Sequence, residues 1–311
     1  MTTRSGPGDG RPGTGPNAVM SERGRLINLT YRLLGSLAEA EDAVQETYAR
    51  WYALSPQQQD AIESPGAWLT TVASRICLNV LGSARVRRET YVGEWVPEPL
   101  PEPGEWVSGR PGGLTADPAD RVTLDESVGM AFLVVLESMT PAERVAFILH
   151  DVFRYSFAEV GEITGRTPAA CRQLASSARR RVRAPQPPAA SPSQRARIVR
   201  DFKQAWEARD INALIGLLDP DATAVADGGG LVSAVLQPVE GGERVARACV
   251  DLAGRAPGLT VTECSVNGQP GLVARQDGAL AAVLAFDITG DRIKHIWAIL
   301  NPEKLRPWTT G

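Results

Sequence analysis

Residues 156–183, SFAEVGEITGRTPAACRQLASSARRRVR, carry the signals that decide the fold of the middle of this chain. Ser156 and Glu159 have the spacing of a capping box, in which both side chains bond backbone N–H groups at a helix start. Gly165 ends this helix, because glycine readily adopts the left-handed conformation that follows many helices. Thr167-Pro168 begins the next helix, since proline at the first helical position gives up only an N–H without a partner. This order of helix, short turn and helix predicts a helix-turn-helix.

The last helix of this stretch has two different faces. Its apolar residues recur every four positions and are predicted to pack on the preceding helices: Ala170, Leu174, Ala178 and Val182. Between Arg166 and Arg183 there are six arginines and no acidic residue, whereas the whole chain has a net charge of −3. A solvated basic face would explain an isolated helix of this kind, but the preceding turn and helix favour DNA binding. The residues predicted to contact DNA are Arg172, Gln173, Ser176, Arg179, Arg180 and Arg183.

The first part of the chain, from about residue 20 to 88, also shows helical spacing of apolar residues. Residues 39–46, EAEDAVQE, form an acidic helix start, which by itself only complements the helix dipole. The helix predicted for residues 65–88 contains no acidic residue and is basic. It supplies a second set of candidate DNA contacts: Arg75, Arg85, Arg87 and Arg88.

Composition and the positions of proline and glycine residues divide the 311 residues into three ordered blocks. Pro- and Gly-rich stretches at about 94–118 and 185–192 separate them, and residues 1–19 are expected to be a disordered lead-in. No apolar run approaches the length that crosses a bilayer, which excludes a membrane-spanning protein. The four cysteines are scattered and lack neighbouring histidines, so neither a metal nor another cofactor is expected.

The third block differs from the first two because it combines helices with strands. Helices are predicted at about 194–209, 212–218 and 243–253. Strand-like runs follow at residues 260–266, 271–275, 279–289 and 292–300. This order predicts an α+β domain with a late antiparallel sheet.

The motifs of the first two blocks resemble those of extracytoplasmic-function sigma factors. They are EAEDAVQE at 39–46, WLTTVASR at 68–75, FAEV at 157–160, TGRTP at 164–168 and RQLA at 172–175. The resemblance implies a multidomain protein with two all-α sigma domains, the second a helix-turn-helix. The implied boundaries are 20–90 for sigma domain 2, 91–118 for a linker, 119–184 for sigma domain 4, 185–193 for a second linker and 194–311 for a C-terminal domain with a tail.

Three further motifs resemble the branch of this family that carries a fused SnoaL-like domain, a cone-shaped α+β fold. YVGEWVPEP at 91–99 has Val96 where the branch has Leu, DGGG at 227–230 matches it intact, and NPEKL at 301–305 has Glu where the branch has Asp. The resemblance implies that the tail motif lies against the linker motif. The implied regulatory contacts are Trp95, Pro97, Glu98, Pro99, Asp227, Gly228, Gly229, Gly230, Asn301, Pro302, Glu303, Lys304 and Leu305.

The resemblance also implies the partners, core RNA polymerase and promoter DNA, and hence a cytoplasmic location. The acidic helix would dock on the polymerase clamp through Glu41, Asp42, Gln45 and Glu46. The loop at about 55–64 and the following helix would open and recognise the −10 element, and the helix at 167–183 would recognise the −35 element. The fused domain is expected to act as a built-in regulator, with no separate anti-sigma factor.

Two alternatives from other classes remain open at this point. The chain could be a one-component activator that binds DNA without joining polymerase, with a small-molecule ligand in the C-terminal domain. It could also be a cavity enzyme tethered to DNA, because some SnoaL-like relatives use an Asp or His as general acid or base. The polar or aromatic candidates for that chemistry are Asp227, Asp287, His295 and Trp297. The sequence does not place them in one pocket, so no catalytic residue is assigned.

Overall fold

The computed structural model describes residues 16–89, 91–101, 129–182 and 190–309. The first helical unit comprises α1 (Pro16–Ser21), α2 (Arg23–Leu34), α3 (Leu37–Tyr52), α4 (Pro56–Asp60) and α5 (Pro65–Glu89). The sequence analysis placed the end of the disordered lead-in at residue 19, which is too far along the chain, because α1 already begins at Pro16. Val19 is buried in a cluster with Trp51, and its carbonyl accepts a hydrogen bond from Tyr48 Oη at 3.0 Å. These contacts order residues that composition alone assigns to the lead-in.

The second helical unit has the predicted helix-turn-helix. It comprises α6 (Met130–Glu137), α7 (Pro141–Phe147), a π-helical turn (Ile148–Val152), α8 (Phe157–Thr164) and α9 (Pro168–Val182). The capping box of Ser156 and Glu159 is formed, and Gly165 ends α8 with a φ of 66°. Gly161 is needed at the turn, because a Cβ there would lie 2.7 Å from the Arg166 carbonyl oxygen.

The two helical units share one hydrophobic core, although a long linker separates them in sequence. Leu33 and Cys77 of the first unit belong to the same buried cluster as Leu133 and Ile148 of the second. Arg144 of α7 is buried at this junction, where its guanidinium donates to the Leu33 carbonyl at 3.0 Å and pairs with Glu137 at 2.7 Å. Burial lowers the pKa of Arg144 to about 10. The first and second units are therefore packed as one body in this conformation.

The C-terminal unit is a mixed sheet with helices on one face. Its elements are α10 (Pro192–Glu207), α11 (Ile211–Leu217), β1 (Leu218–Asp227), β2 (Val239–Glu240), α12 (Gly242–Arg255), β3 (Leu259–Val266), β4 (Gln269–Gln276), β5 (Ala279–Thr289), β6 (Arg292–Ile299) and a 3₁₀ turn (Arg306–Trp308). The strand order is β2-β1-β6-β5-β4-β3. The four predicted strands, β3 to β6, pair antiparallel as expected. The sequence analysis missed β1 and β2, and β1 runs parallel to β6. Asp219, Pro220 and Asp221 hide the strand pattern of β1, which tertiary pairing with β6 stabilises.

The two faces of this sheet have different neighbours. One face packs under α10 and α12, where Phe202, Trp206 and Phe286 fill the interior of the cone. The opposite face packs on the linker and α6, through Trp297 against Val96 and Met130. Within the described ranges, none of the helices has the length and apolar character needed to span a membrane.

Candidate functional site

Most of the predicted DNA contacts of α9 are exposed to solvent. Arg172, Gln173, Ser176 and Arg180 lie on its open face, while Arg183 is outside the described residues. Arg179 differs from the prediction of a free basic face. Its Nε donates to Asp151 Oδ1 at 2.7 Å, and its side chain is only 30% exposed. The π-helical turn brings Asp151 to this position, which sequence spacing did not indicate.

The candidate DNA contact on α5 faces the second helical unit. Arg75 Nη2 donates to the carbonyl of Glu162, near the end of α8, at 2.8 Å. The side chains of Arg85, Arg87 and Arg88 lie outside the described residues. Of the predicted contacts on α5, the one with a described side chain thus bonds to the helix-turn-helix in this conformation.

The acidic helix α3 has a clean division between its faces. Ala40, Val44 and Trp51 are buried in the first unit. The four predicted polymerase contacts, Glu41, Asp42, Gln45 and Glu46, are all exposed. Among the residues that the structure describes, neither the linker segment 91–101 nor the C-terminal unit 190–309 covers this face.

The end of the linker motif, from Val96 onward, is buried, which is unusual for a loop. Residues 96–101 are all inaccessible, and three of these six residues are prolines, which have no N–H. The remaining N–H groups each donate to another segment: Val96 to Asp227 Oδ2 at 2.9 Å, Glu98 to the Gly35 carbonyl at 2.8 Å and Leu100 to Asn267 Oδ1 at 3.0 Å. The linker thus bonds both the first unit and the C-terminal unit.

The carbonyl groups of the linker are bonded in the same way. The donors are Lys304 Nζ to Val96, Tyr31 Oη to Glu98 at 2.7 Å, Trp308 Nε1 to Pro99 at 2.8 Å and the Asn267 N–H to Leu100 at 2.8 Å. Trp308 and Lys304 belong to the C-terminal tail. The tail therefore lies along the linker, and buried polar groups of the linker have partners, as burial requires.

Asp227 is the centre of the contact between the tail and the linker. Its carboxylate is fully buried and accepts hydrogen bonds from Tyr91 Oη at 2.6 Å and from Lys304 Nζ at 2.6 Å. The Lys304 ammonium also lies over the rings of Trp95, at 4.2 Å, and Tyr91, at 5.1 Å. Asn301 Nδ2 donates to Tyr91 Oη at 2.9 Å. Burial and the bond to the Asp227 carboxylate raise the pKa of Tyr91. We call Tyr91, Val96, Asp227, Asn301 and Lys304 the tail cluster.

The glycines after Asp227 permit the close approach of this cluster. Gly229 and Gly230 have positive φ values of 61° and 72°. A Cβ at Gly229 would lie 2.3 Å from Asn301 Nδ2, and one at Gly228 would lie 2.5 Å from the Val232 carbonyl oxygen. Of the remaining tail motif, Leu305 is buried whereas Pro302 and Glu303 are exposed.

Glu98 connects the linker to the start of the acidic helix. Its Oε2 accepts a hydrogen bond from the Leu37 N–H at 2.7 Å, at the first residue of α3. Burial raises the pKa of Glu98, while the bonds from Leu37 and Ser36 and the charge of Lys304 oppose this change. The linker thus supplies a cap to the helix that carries the predicted polymerase contacts.

The candidate acid–base residues do not converge inside the cone. His295 Nδ1 lies 2.6 Å from Thr223 Oγ1, its Nε2 lies 4.0 Å from Asp287 Oδ2, and its ring stacks on Trp297. These residues are on the sheet face that packs toward the linker, whereas the helices cover the other face. Asp227 is at the end of β1 with its carboxylate bonded in the tail cluster.

Sequence reasoning missed Tyr31 and Asn267, which bond to each other and to the linker. Asn267-Gly268 is a recognisable hairpin turn, but nothing in its spacing indicates a contact with residue 31.

The two helical units match known domain models. Residues 18–88 match the Sigma-70 region 2 model, and residues 129–182 match the Sigma-70, region 4 model. With the exposed acidic face of α3 and the basic helix of the helix-turn-helix, they define a sigma factor.

Similar proteins show which group of sigma factors this is. The chain is 38% identical to the ECF RNA polymerase sigma factor SigJ of Mycobacterium tuberculosis (strain ATCC 25618 / H37Rv), over 91% of this chain and 90% of that protein. It is 34% identical to the probable ECF RNA polymerase sigma factor SigI of the same strain, over 93% and 94% of the two chains. The crystal structure of M. tuberculosis SigJ superposes with a TM-score of 0.73 at 34% identity and covers 94% of this chain and 98% of that chain.

The chain therefore belongs to the extracytoplasmic function sigma factors and has a C-terminal SnoaL-like domain. It binds core RNA polymerase and directs promoter-specific initiation of transcription. This function replaces the alternative of an activator that acts without joining polymerase.

Proposed function

We propose that the SnoaL-like domain regulates this sigma factor by keeping sigma domains 2 and 4 packed against each other. The observation that carries the proposal is the burial of linker residues 96–101, with their N–H groups bonded to Asp227, Gly35 and Asn267. A linker bonded to both sides cannot extend until those bonds break.

The distance between promoter elements explains why extension matters. The −10 and −35 elements are named for positions about 25 base pairs apart, which is about 85 Å along B-form DNA at about 34–36 Å for each turn of 10–10.5 base pairs. Sigma domains 2 and 4 share one hydrophobic core here, and Arg75 of α5 bonds the Glu162 carbonyl near the end of α8. Two domains in direct contact cannot occupy both elements, so promoter binding requires the domains to separate.

The polymerase-binding face is not restrained in the same way. Because Glu41, Asp42, Gln45 and Glu46 are exposed, we expect the closed protein to dock on core polymerase in the cytoplasm. Separation would then free Arg75 and α9 for DNA, with the remaining arginines of α5 adding phosphate contacts. The regulation would thus act on promoter recognition rather than on polymerase binding.

A small molecule could act as the signal by binding between the tail and the linker. Regulation would then need no separate anti-sigma factor. A cavity of about 410 Å³ lies between α3, the linker and the tail, lined in part by Trp95, Glu98 and Lys304. A ligand there would contact the groups that join the tail to the linker.

Two truncations test the regulatory proposal. A chain ending at Leu300 lacks Asn301, Lys304 and Trp308 but keeps the whole sheet, so transcription from a cognate promoter should rise. A chain ending before Pro192 loses the domain that covers Val96 and Met130, and exposed apolar surface should lower its solubility or polymerase binding. Promoter activity is compared at matched protein levels. Equal activity of full-length and tail-clipped protein, with both folded, would reject regulation through the tail.

A further inference from the structure

Asn267, the first of the two turn residues at the tip of the β3–β4 hairpin, is buried, although hairpin tips normally face solvent. Asn267 and Gly268 form a two-residue turn with φ values of 52° and 72°, as in a type I′ hairpin. Asn267 is nevertheless only 3% exposed. The equivalent tip between β4 and β5, Asp277-Gly278, also has positive φ values, 51° and 83°, and both of its residues are exposed. Burial of the Asn267 tip is therefore a feature of its contacts and not of its turn type.

Asn267 bonds two other parts of the chain with its side chain. Its Oδ1 accepts from the Leu100 N–H at 3.0 Å, and its Nδ2 donates to Tyr31 Oη at 2.8 Å. Tyr31 Oη in turn donates to the Glu98 carbonyl at 2.7 Å. Burial raises the pKa of Tyr31, so its hydroxyl is protonated at neutral pH and can donate. Sigma domain 2, the linker and the SnoaL-like domain thus meet in one chain of hydrogen bonds.

This chain of bonds shares no residue with the tail cluster. The tail cluster holds linker residue Val96, whereas Asn267 and Tyr31 hold Glu98 and Leu100. The tail supplies neither a donor nor an acceptor to the Asn267 contacts, so we expect these contacts to persist when the tail is removed. Since Tyr31 and Asn267 are both buried, breaking the contact costs the desolvation of polar groups that lose their partners.

We infer that Tyr31, Glu98, Leu100 and Asn267 form a second restraint on domain separation, the Asn267 clasp, which acts independently of the tail. This inference rests on the proposed regulatory function and specifies a direct contact of the hairpin tip with sigma domain 2. Asn267 and Tyr31 are buried and bond the linker, so they are positioning residues that set the position of the linker. Loss of either restraint raises the equilibrium constant for opening by some factor. Because the two restraints are independent, these factors multiply, and loss of both should open the protein more than loss of either.

The test uses the full-length chain and the chain ending at Leu300. Asn267→Gly removes the side chain and keeps the positive φ, and Tyr31→Phe removes only the hydroxyl. Asp277→Gly is the matched control, because it makes the same change in an exposed turn of the same sheet. Opening is measured by hydrogen exchange of the Val96 and Glu98 amides, whose acceptors, Asp227 and Gly35, are unchanged in both variants, and by the distance between fluorophores on α3 and α9. Thermal unfolding of each variant checks that the sheet remains folded.

Asn267→Gly and Tyr31→Phe should each accelerate linker exchange by about 5- to 150-fold, the effect of losing one or two buried hydrogen bonds. The factors should multiply with that of tail removal, while Asp277→Gly changes nothing. The clasp would be overturned if linker amides in Asn267→Gly and Tyr31→Phe exchanged at the same rate as in the Asp277→Gly control. This comparison is made in both the full-length chain and the chain ending at Leu300. Opening without any rise in transcription would instead contradict the regulatory proposal and leave the clasp standing.

Discussion

Lys304 Nζ lies 2.6 Å from Asp227 Oδ2, and the two side chains are 10% and 0% exposed. The pair joins the end of strand β1 to the C-terminal tail across 77 residues. The same ammonium bonds the Val96 carbonyl of the linker, so one cation holds three segments together. A buried carboxylate without its cation is strongly unfavourable, which makes this pair sensitive to substitution of one partner.

Lys304→Met should therefore release the tail. Methionine retains length and apolar packing but leaves Asp227 buried without its counter-ion, at an expected cost of about 3–5 kcal/mol to tail docking. Limited proteolysis after Leu300 and promoter activity measure the effect, and both should increase. Arg306→Ala is the control on the same tail, because Arg306 is exposed and should change neither. A tail that stays protected in Lys304→Met would contradict the role of the pair.

The −35 element should depend on Arg179 and Arg172. Arg179→Ala or Arg172→Ala should cost about 1–3 kcal/mol in promoter affinity if the side chain bonds a base edge. A purely phosphate-binding arginine would instead weaken binding to all sequences and flatten the salt dependence. Affinity for wild-type and altered −35 sequences over a range of salt concentrations separates these cases. Unchanged affinity at every concentration would refute both.

Asp151 should contribute to the same contact through Arg179. Asp151→Asn removes the charge that pairs with Arg179 Nε but keeps a hydrogen-bond acceptor. We expect a smaller loss of −35 affinity than in Arg179→Ala, because the guanidinium remains but is less firmly oriented. The measurement is the same titration with promoter DNA, and a loss in Asp151→Asn that exceeds the loss in Arg179→Ala would argue against an orienting role.

The acidic face of α3 should act on polymerase and not on DNA, because carboxylates are repelled by phosphate. Asp42→Lys should weaken assembly with core polymerase while leaving the affinity of the free protein for promoter DNA undiminished. Asp251→Lys makes the same charge change on an exposed site of α12 and should leave assembly intact. Wild-type assembly of Asp42→Lys together with lost DNA binding would reverse our assignment of the two surfaces.

Domain separation should respond to pH through Glu98. The pKa of Glu98 is raised in the closed state, chiefly by burial, so the closed state binds its proton more tightly than the open state. The resulting stabilisation is fully present below the ordinary glutamate pKa of about 4.3 and is lost as pH rises through the raised value. The distance between fluorophores on α3 and α9, which reports the separation of sigma domains 2 and 4, should thus increase with pH in this window. Glu98→Gln should reduce the dependence of this distance on pH, because glutamine does not titrate. An unchanged dependence would exclude Glu98 as the titrating group.

Local signals in the sequence determined the helix-turn-helix. The capping residues Ser156 and Glu159, the glycine at 165 and the proline at 168 act on their own backbone neighbours, so they have the same effect in any tertiary context. The motifs at 39–46 and 301–305 likewise indicated the family without knowledge of the fold. The strand β1 escaped prediction because its residues have little strand pattern of their own and pair with β6 some 70 residues away.

By itself, then, the sequence determined the helix-turn-helix, the family and the residues of the tail motif. Only the tertiary structure decided that sigma domains 2 and 4 share a core, that Arg179 pairs with Asp151, and that Asn267 bonds Tyr31 across 236 residues. The physical reason is the range of the interactions. Capping and periodicity depend on residues within one or two helical turns, whereas burial and hydrogen bonding between distant segments depend on how the whole chain packs, which no local spacing encodes.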